Sequence, residues 1–398
     1  MSAPGLNVVG YLDAVLGQGQ SARRFCSGLD AAGVPWAGFG LRLPVPAARR
    51  PTVPRFGTAP FPHRITVLWC NPDRYGIDIP VDPPLLRGRY TIGRWAWELG
   101  EVPVEWREQA RALDEVWVIS EFVAQALRPA LDVPVHVIPL PLSPAPRPRA
   151  LDRGSYGVAD GAFLFCFAFD HHSTLARKNP GGVITAYRRA FGPDEGTALL
   201  IKSVNASSCP QDAQALHEAA AGRDDIVIVD AALAEHEQDA LLAGCDCYVS
   251  LHRSEGFGMS MAEALAHGTP VIATGYGGNL DYMASDELLV GHALRFVGPD
   301  AGPYPADGVW AEPDLDHAAA LMRRVASDPP AAARHGERAA ARLAVRHALP
   351  AAARVAAEHV ARAANALNAR EAALQLQQPS DGSSRSSSGP SSSSSASE

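Results

Sequence analysis

The most constraining feature of this sequence is an alternation that runs twice. Short, nearly continuous apolar runs of strand length lead into stretches with helical spacing, a proline-rich segment interrupts, and the alternation resumes. In the first half the strand candidates are 8–11, 65–70, 90–95, 115–119 and 135–138, with helices over 19–32, 105–113 and 121–127. In the second half the strands are 163–169, 198–202, 226–229, 247–250, 271–273 and 288–290, with helices over 182–190, 212–220, 235–243 and 260–267. Strands apolar on both faces, each followed by a helix, belong in a parallel sheet covered on both sides. Residues 139–161 are dense in proline and poor in large apolar side chains, as an interdomain linker is. The pattern predicts an α/β chain of two doubly wound, Rossmann-like domains with a cleft between them: an N-terminal domain over 1–145, a C-terminal domain over 146–345, and helices over 346–377. The proline-rich stretch 44–63 is expected to be irregular. The serine-rich tail 378–398 lacks apolar anchors to offset its ordering entropy and is expected to be disordered.

Composition narrows the function classes. A net charge of −8 argues against a nucleic-acid or anionic-membrane partner. No apolar run reaches the roughly 20 residues of a spanning helix, and the N-terminus lacks the basic flank of a secretory signal. Cys26, Cys70, Cys166, Cys209, Cys245 and Cys247 show no CxxC spacing and are expected to be reduced thiols in a cytoplasmic protein, with no metal site. Of 35 basic residues only two are lysines, Lys178 and Lys202. A coding bias toward arginine accounts for the scarcity, but a compact ammonium and a planar guanidinium fork are not interchangeable. Both lysines are therefore site candidates, Lys202 because it ends a strand at the edge where doubly wound sheets bind ligands.

Residues 254–278 read SEGFGMSMAEALAHGTPVIATGYGG. Gly256, Phe257 and Gly258 form a glycine-rich loop that feeds a helix start, which offers free backbone N–H groups and partial positive charge to an anion or polyhydroxyl ligand. Glu255 and Glu263, eight apart, place one carboxylate in the loop and one along the helix. A plain alternative is one dipole-stabilising and one surface glutamate. In FDHHSTLARKNPGG, residues 169–182, Arg177 and Lys178 sit just before Pro180, a residue suited to a helix start. Two cations there oppose the helix dipole, a conflict that a bound diphosphate would relieve. His171 and His172 are phosphate or acceptor contacts, or ordinary loop histidines.

In the first domain, Gly17, Gly19 and Ala22 have the spacing of a dinucleotide fingerprint, but four residues separate Gly17 from the strand and no ribose-binding acid follows the next strand. Trp95 and Trp97 share one side of a strand end beside Glu98. They stack on an acceptor, or they pack the domain interface; Glu98 takes or orients an acceptor proton, or forms an ion pair.

The EGFG start, the E-x7-E spacing and the following HGTPVIATGYGG together resemble the nucleotide-sugar site of family 4 retaining glycosyltransferases of the GT-B fold. The resemblance covers about residues 7–345 and is specific in 163–290. It implies a hexosyltransferase-like enzyme of carbohydrate biosynthesis that moves a sugar from a nucleotide-diphosphate-sugar to an acceptor hydroxyl with retention, without a metal or other cofactor. The acceptor is a carbohydrate, a lipid-linked group or a small molecule. On this likeness Glu255 contacts the donor sugar, Glu263 the ribose, Gly256, Phe257 and Gly258 the sugar and phosphate, and Lys178 the diphosphate. Gly17 and Gly19 become the loop opposite the diphosphate. Many relatives also carry an arginine at the strand end, where this chain has Phe169, Asp170, His171 and His172; Arg177 stands in for it. The rival readings are a nucleotide-sugar epimerase or sugar phosphorylase on the same architecture, a non-catalytic sugar-binding subunit, and an NAD-dependent dehydrogenase. Because the tail has no apolar anchor, truncation after Gln378 is expected to leave activity intact, and a turnover assay that shows a loss would assign the tail a role.

Overall fold

The computed structural model describes residues 4–14, 17–41, 52–80, 86–142, 150–283, 288–299 and 301–377. The serine-rich tail and residues 143–149 of the proline-rich segment lie outside them, as does part of the 44–63 stretch. The first unit contains β1 (Leu6–Gly10), α1 (Gly17–Ala31), β2 (Trp36–Gly40), β3 (Ile65–Trp69), β4 (Tyr90–Arg94), α2 (Glu105–Ala110), β5 (Glu115–Val118), α3 (Glu121–Leu127) and β6 (Val135–Val137). Its six strands are all parallel, in the order β2-β1-β3-β4-β5-β6. Every residue of β1, β3, β4 and β5 is buried, the consequence of helices on both faces. The sequence reading missed β2. This edge strand reads WAGFG, only two of its residues are buried, and its two glycines remove the apolar alternation that marks a strand.

The second unit runs β7 (Phe163–Asp170), α4 (Leu175–Lys178), α5 (Pro180–Ala190), β8 (Thr197–Val204), α6 (Pro210–Ala220), β9 (Ile226–Asp230), α7 (Glu235–Gly244), β10 (Cys247–Ser250), α8 (Met259–Ala266), β11 (Val271–Thr274), α9 (Leu280–Met283) and β12 (Leu289–Val290). This sheet is also parallel, in the order β12-β11-β10-β7-β8-β9. An antiparallel hairpin follows, β13 (His292–Phe296) with β14 (Val309–Pro313). It too escaped the sequence reading, because β13 is exposed along its whole length and needs no apolar face.

Three helices close the described residues: α10 (Leu315–Ser327), α11 (Pro329–His347) and α12 (Leu349–Gln377). Asp314 caps α10 by accepting from the backbone N–H groups of Asp316 and His317, and Asp328 caps α11 ahead of Pro329. The two helices pack on the second unit, and α12 then returns to the first. Its Ala356, Val360, Ala363 and Leu367 recur at helical spacing and meet the stripe Ala22, Phe25, Cys26 and Leu29 of α1 in one buried cluster. The crossing point is pinned by His347, whose Nδ1 lies 3.0 Å from the Leu140 carbonyl oxygen and whose own carbonyl accepts from the Leu142 N–H at 2.7 Å. Among the described residues no helix is long and apolar enough to cross a membrane.

Each sheet has one place where successive crossovers turn in opposite directions: between β1 and β3 in the first, between β7 and β10 in the second. Ligands of doubly wound sheets bind at the carboxyl ends of such strands. The loops after β1, β7 and β10 therefore stand where such a ligand would bind.

Burial holds His347 and His359 neutral, each pushed down to about 4. An unfolded histidine titrates near pH ~6.5, so between those values the unfolded chain binds more protons than the native one. Their contribution is complete above about pH 6.5 and is lost as pH falls from there toward 4, by up to about 3 kcal/mol for His347. Denaturant unfolding followed across this window should show the loss, with a shallower slope for His347→Asn. Parallel curves for the two proteins would contradict it.

Candidate functional site

Two loops of the second unit build the centre of the site. After β7 the chain makes the single turn α4, and Asn179 breaks it with a positive φ of 54°. The Asn179 side chain then caps α5 by accepting from the Gly182 N–H, while its Nδ2 donates to the Leu251 carbonyl at 2.8 Å, tying the β7 loop to the β10 loop. Arg177 and Lys178 close α4 and stand just before the start of α5 at Pro180, as the sequence suggests; the turn α4 itself was not foreseen. Their charge beside that helix start is answered by a side chain.

That side chain is Glu255. Its Oε1 accepts from Lys178 Nζ and lies 3.3 Å from Arg177 Nη1, which also donates to the Ser254 carbonyl at 2.9 Å. Burial alone would raise the Glu255 carboxyl, but Lys178 and Arg177 outweigh it and leave it at about 2. Burial likewise works against the Arg177 charge, and Glu255, Tyr304 and Glu98 more than compensate, holding its pKa above the ordinary value. Arg177 also stands over the Tyr304 ring, 5.9 Å from its centroid.

The loop 255–258 needs its glycines for close approach. A Cβ on Gly256 would come 2.5 Å from the Trp97 carbonyl oxygen of the first unit, and Gly258 begins α8 with φ 81°. Contacts from the first unit reach this loop: Ser120 Oγ donates to the Gly256 carbonyl, and Ser254 Oγ donates to the Glu98 carbonyl. The Glu98 carboxylate accepts from the Tyr304 hydroxyl at 2.9 Å.

A cavity of about 570 Å³ opens over these loops. Its walls include Glu98, Arg177, Lys178, Lys202, His172, Glu255, Gly256, Phe257 and Gly258, and across the cleft Gly17, Gln18, Gln20 and Arg23 from the start of α1. Lys202 is buried, its pKa lowered by burial against the opposing pull of Asp170 and Asp230. His171 faces inward, with its ring 4.7 Å from that of Phe169, and is not on the wall.

Several candidates sit elsewhere than the sequence suggests. Trp95 and Trp97 are core residues, 1% and 5% exposed, not acceptor platforms. Their rings meet Trp106 edge-on at 5.4 and 5.0 Å, and their indole N–H groups donate to Tyr75 and to the Glu101 carbonyl. Period two placed them on one side correctly, and that side is packed: Trp97 also meets Tyr304 of the second unit at 5.5 Å, the interface packing offered as the alternative. Gly19 is buried under the wall, where a Cβ would come 2.5 Å from the Ala14 carbonyl oxygen, so it serves helix packing. Glu263 stands behind the wall: its Oε1 accepts from Gln20 Nε2 at 2.9 Å and from Arg24 at 2.8 Å. Gln20, Arg24 and Tyr304 escaped the sequence reading because nothing local marks a residue whose partner lies some two hundred positions away.

Comparison with known proteins bears on the same region. The family model of glycosyl transferases group 1 matches residues 214–342, which include the β10 loop and α8. Over 70 residues the chain is 40% identical to a phosphatidyl-myo-inositol mannosyltransferase of Propionibacterium freudenreichii subsp. shermanii, a match spanning 17% of this chain and 18% of that protein. Among solved structures it is similar to sucrose-phosphate synthase from Thermosynechococcus elongatus, with a TM-score of 0.61 at 17% identity over 92% of this chain and 100% of the other. It is also similar to Anabaena HepE in complex with UDP-glucose, with a TM-score of 0.63 at 13% identity over 90% and 99%. At these identities the structural likeness establishes the fold: the chain has the two Rossmann-like domains of GT-B glycosyltransferase structures, and residues 214–342 are similar to the glycosyl transferases group 1 family.

Proposed function

We propose that this chain is a retaining glycosyltransferase of family 4 type, which moves a hexose from a nucleotide-diphosphate-sugar to an acceptor hydroxyl. The observation that carries the reading is the convergence of Lys178, Arg177 and Glu255 at the switch point of the second sheet, facing the amino end of α1 across one cavity. Lys178 is paired with Glu255 yet stands on the cavity wall, where an ammonium has further donors for an anion. The start of α1 adds N–H groups and partial positive charge from the opposite side. Such a place favours a diphosphate and favours it more as the sugar–phosphate bond breaks, since charge then grows on the departing nucleoside diphosphate. The relatives support the donor class: one is a mannosyltransferase and another is described with UDP-glucose.

In this reading Lys178 meets the diphosphate, Glu255 accepts hydroxyls of the donor sugar, and the amides of Gly256 to Gly258 approach sugar and phosphate. Glu263 takes the ribose. Lys202, on the wall at the end of β8, adds positive charge on the nucleotide side. Glu98, held by Tyr304, faces the cavity from the first unit and orients the acceptor hydroxyl. The leaving phosphate oxygen assists removal of the acceptor proton on the same face, which yields retention. Because the loops that hold the donor are touched by the first unit, closure of the cleft also excludes water.

Incubation of the purified chain with UDP-, GDP- and ADP-hexoses and an acceptor panel tests the proposal through release of nucleoside diphosphate and the anomeric configuration of the product. Lys178→Ala is expected to lower turnover at least about a hundredfold, since the leaving charge loses a partner. Near-normal turnover would remove the phosphate role. Glu263→Ala is expected to weaken nucleoside diphosphate binding about tenfold or more, and an unchanged Kd by calorimetry would remove the ribose role.

A further inference from the structure

The ribose carboxylate of the second unit is not held by its own unit. Glu263 lies on α8, and the two donors on its Oε1, Gln20 and Arg24, both come from α1 of the first unit, one turn apart on one face. Gln20 lines the cavity while Glu263 and Arg24 do not, so Gln20 is the inner and Arg24 the outer support of the same oxygen. The Glu263 side chain is 6% exposed and that of Arg24 23%.

We propose that Arg24 is a positioning residue for nucleotide binding: reaching across the cleft, it keeps the Glu263 carboxylate an ionised and oriented acceptor, so that the ribose grip of one domain is completed by the other. This inference rests on the reading of Glu263 as the ribose contact.

The surroundings of Glu263 make such a support necessary. Burial raises its carboxyl above the ordinary value, Asp239 and Glu235 of α7 add to the rise, and Arg24 opposes it. The other groups around α8 do not substitute for Arg24. Arg23 of α1 lies 3.6 Å from Glu235, and His267 at the end of α8 lies 3.3 Å from Asp239. On α11, His335 and His347 are buried, and the charged residues Arg334, Glu337, Arg338, Arg342 and Arg346 are exposed. On β10, burial raises the pKa of Cys247 and Tyr248, which keeps both neutral; β11 has no titratable group. Without the guanidinium, a proton on Glu263 would turn an acceptor oxygen into a donor and cost it the paired hydrogen bonds of a vicinal diol.

The test compares the wild type with Arg24→Met, Arg24→Gln and Arg24→Lys. Each is titrated by calorimetry with UDP, GDP or ADP, whichever the wild type binds most tightly, at about pH 6 and about pH 8.5. The ratio of variant to wild-type Kd cancels the titration of the nucleotide's own phosphate. For Arg24→Met and Arg24→Gln the ratio is expected to grow about tenfold on going from the higher to the lower pH. Arg24→Lys should show no such growth, and in a Glu263→Gln background neither should Arg24→Met. Arg24→Gln keeps a hydrogen-bond donor and no charge, so it decides the matter if Arg24→Met fails to fold. A ratio that does not change with pH would overturn the positioning role while leaving the donor site in place. Failure of Glu263→Gln to weaken binding would remove the ribose role and this inference with it. Failure of all three nucleotides to bind the wild type would overturn the functional reading itself.

Discussion

Everything in the cleft is arranged around one buried carboxylate between two cations. Taking Glu255, Arg177 and Lys178 out of water is costly, and a cluster serving stability alone would be replaced at little loss by apolar side chains. Glu255 answers one positive charge, and Glu98, bonded to Tyr304, stands near enough to help answer that of Arg177. Both cations border the cavity; Lys178 is partly open to whatever enters, whereas Arg177 is buried and bonded to the backbone of the opposing loop. An ammonium held this firmly at the wall, with donors left for a ligand, is a preorganised contact for an anion, with its desolvation met when the chain folds rather than when the ligand arrives.

The loops that make this site are also the contact between the domains. Gly256 can exist only as glycine because the Trp97 carbonyl occupies the space a Cβ would need, and the same residue's carbonyl accepts from Ser120. Asp281, just beyond the glycines of 277–278, accepts from the Glu121 N–H at 2.8 Å. Tyr304 reaches from the hairpin loop to Glu98, and Arg24 from α1 to Glu263. The candidate site and the apposition of the domains therefore use one set of atoms. A change in the angle between the domains would alter the candidate site directly, without a chain of intermediates, and the return of α12 onto α1 restrains that angle from behind.

How much of this was readable depended on whether the signal was local. The double alternation of apolar runs and helices revealed both sheets, because a parallel strand buried on two faces must be apolar throughout. The strand β2 and the hairpin β13–β14 were hidden because an edge strand and an exposed hairpin carry no such demand. Glu255 and Lys178 were legible from glycine spacing and from cations set just before Pro180. The tryptophans misled for an instructive reason. Period two states that two side chains share a side, and says nothing of whether that side meets a cleft or a core. Trp95 and Trp97 meet Trp106 and Tyr75, residues brought in by segments whose position no local rule fixes. The partners of Glu263 were illegible in the same way, since Arg24 carries no mark that separates it from Arg23 beside it.

The two lysines show how position and chemistry meet. Coding bias explains why this chain uses arginine, but not where it does not. The arginines near the site bind fixed partners with several donors at once: Arg253 holds Glu312 through Nε and Nη2, at 2.7 and 3.0 Å, and reaches the Ala176 carbonyl through Nη1. Arg177 spans the Ser254 carbonyl and Glu255. A planar fork suits partners that do not move. Lys178 and Lys202 stand on the cavity wall, one at the end of α4 and one near the end of β8, and in the proposed reading the partner there is a phosphate that changes from substrate to product. A single ammonium on a flexible stem can follow such a partner through bond breaking and keep its donors pointed at it. A guanidinium of fixed plane would have to match one state and lose contact in the other.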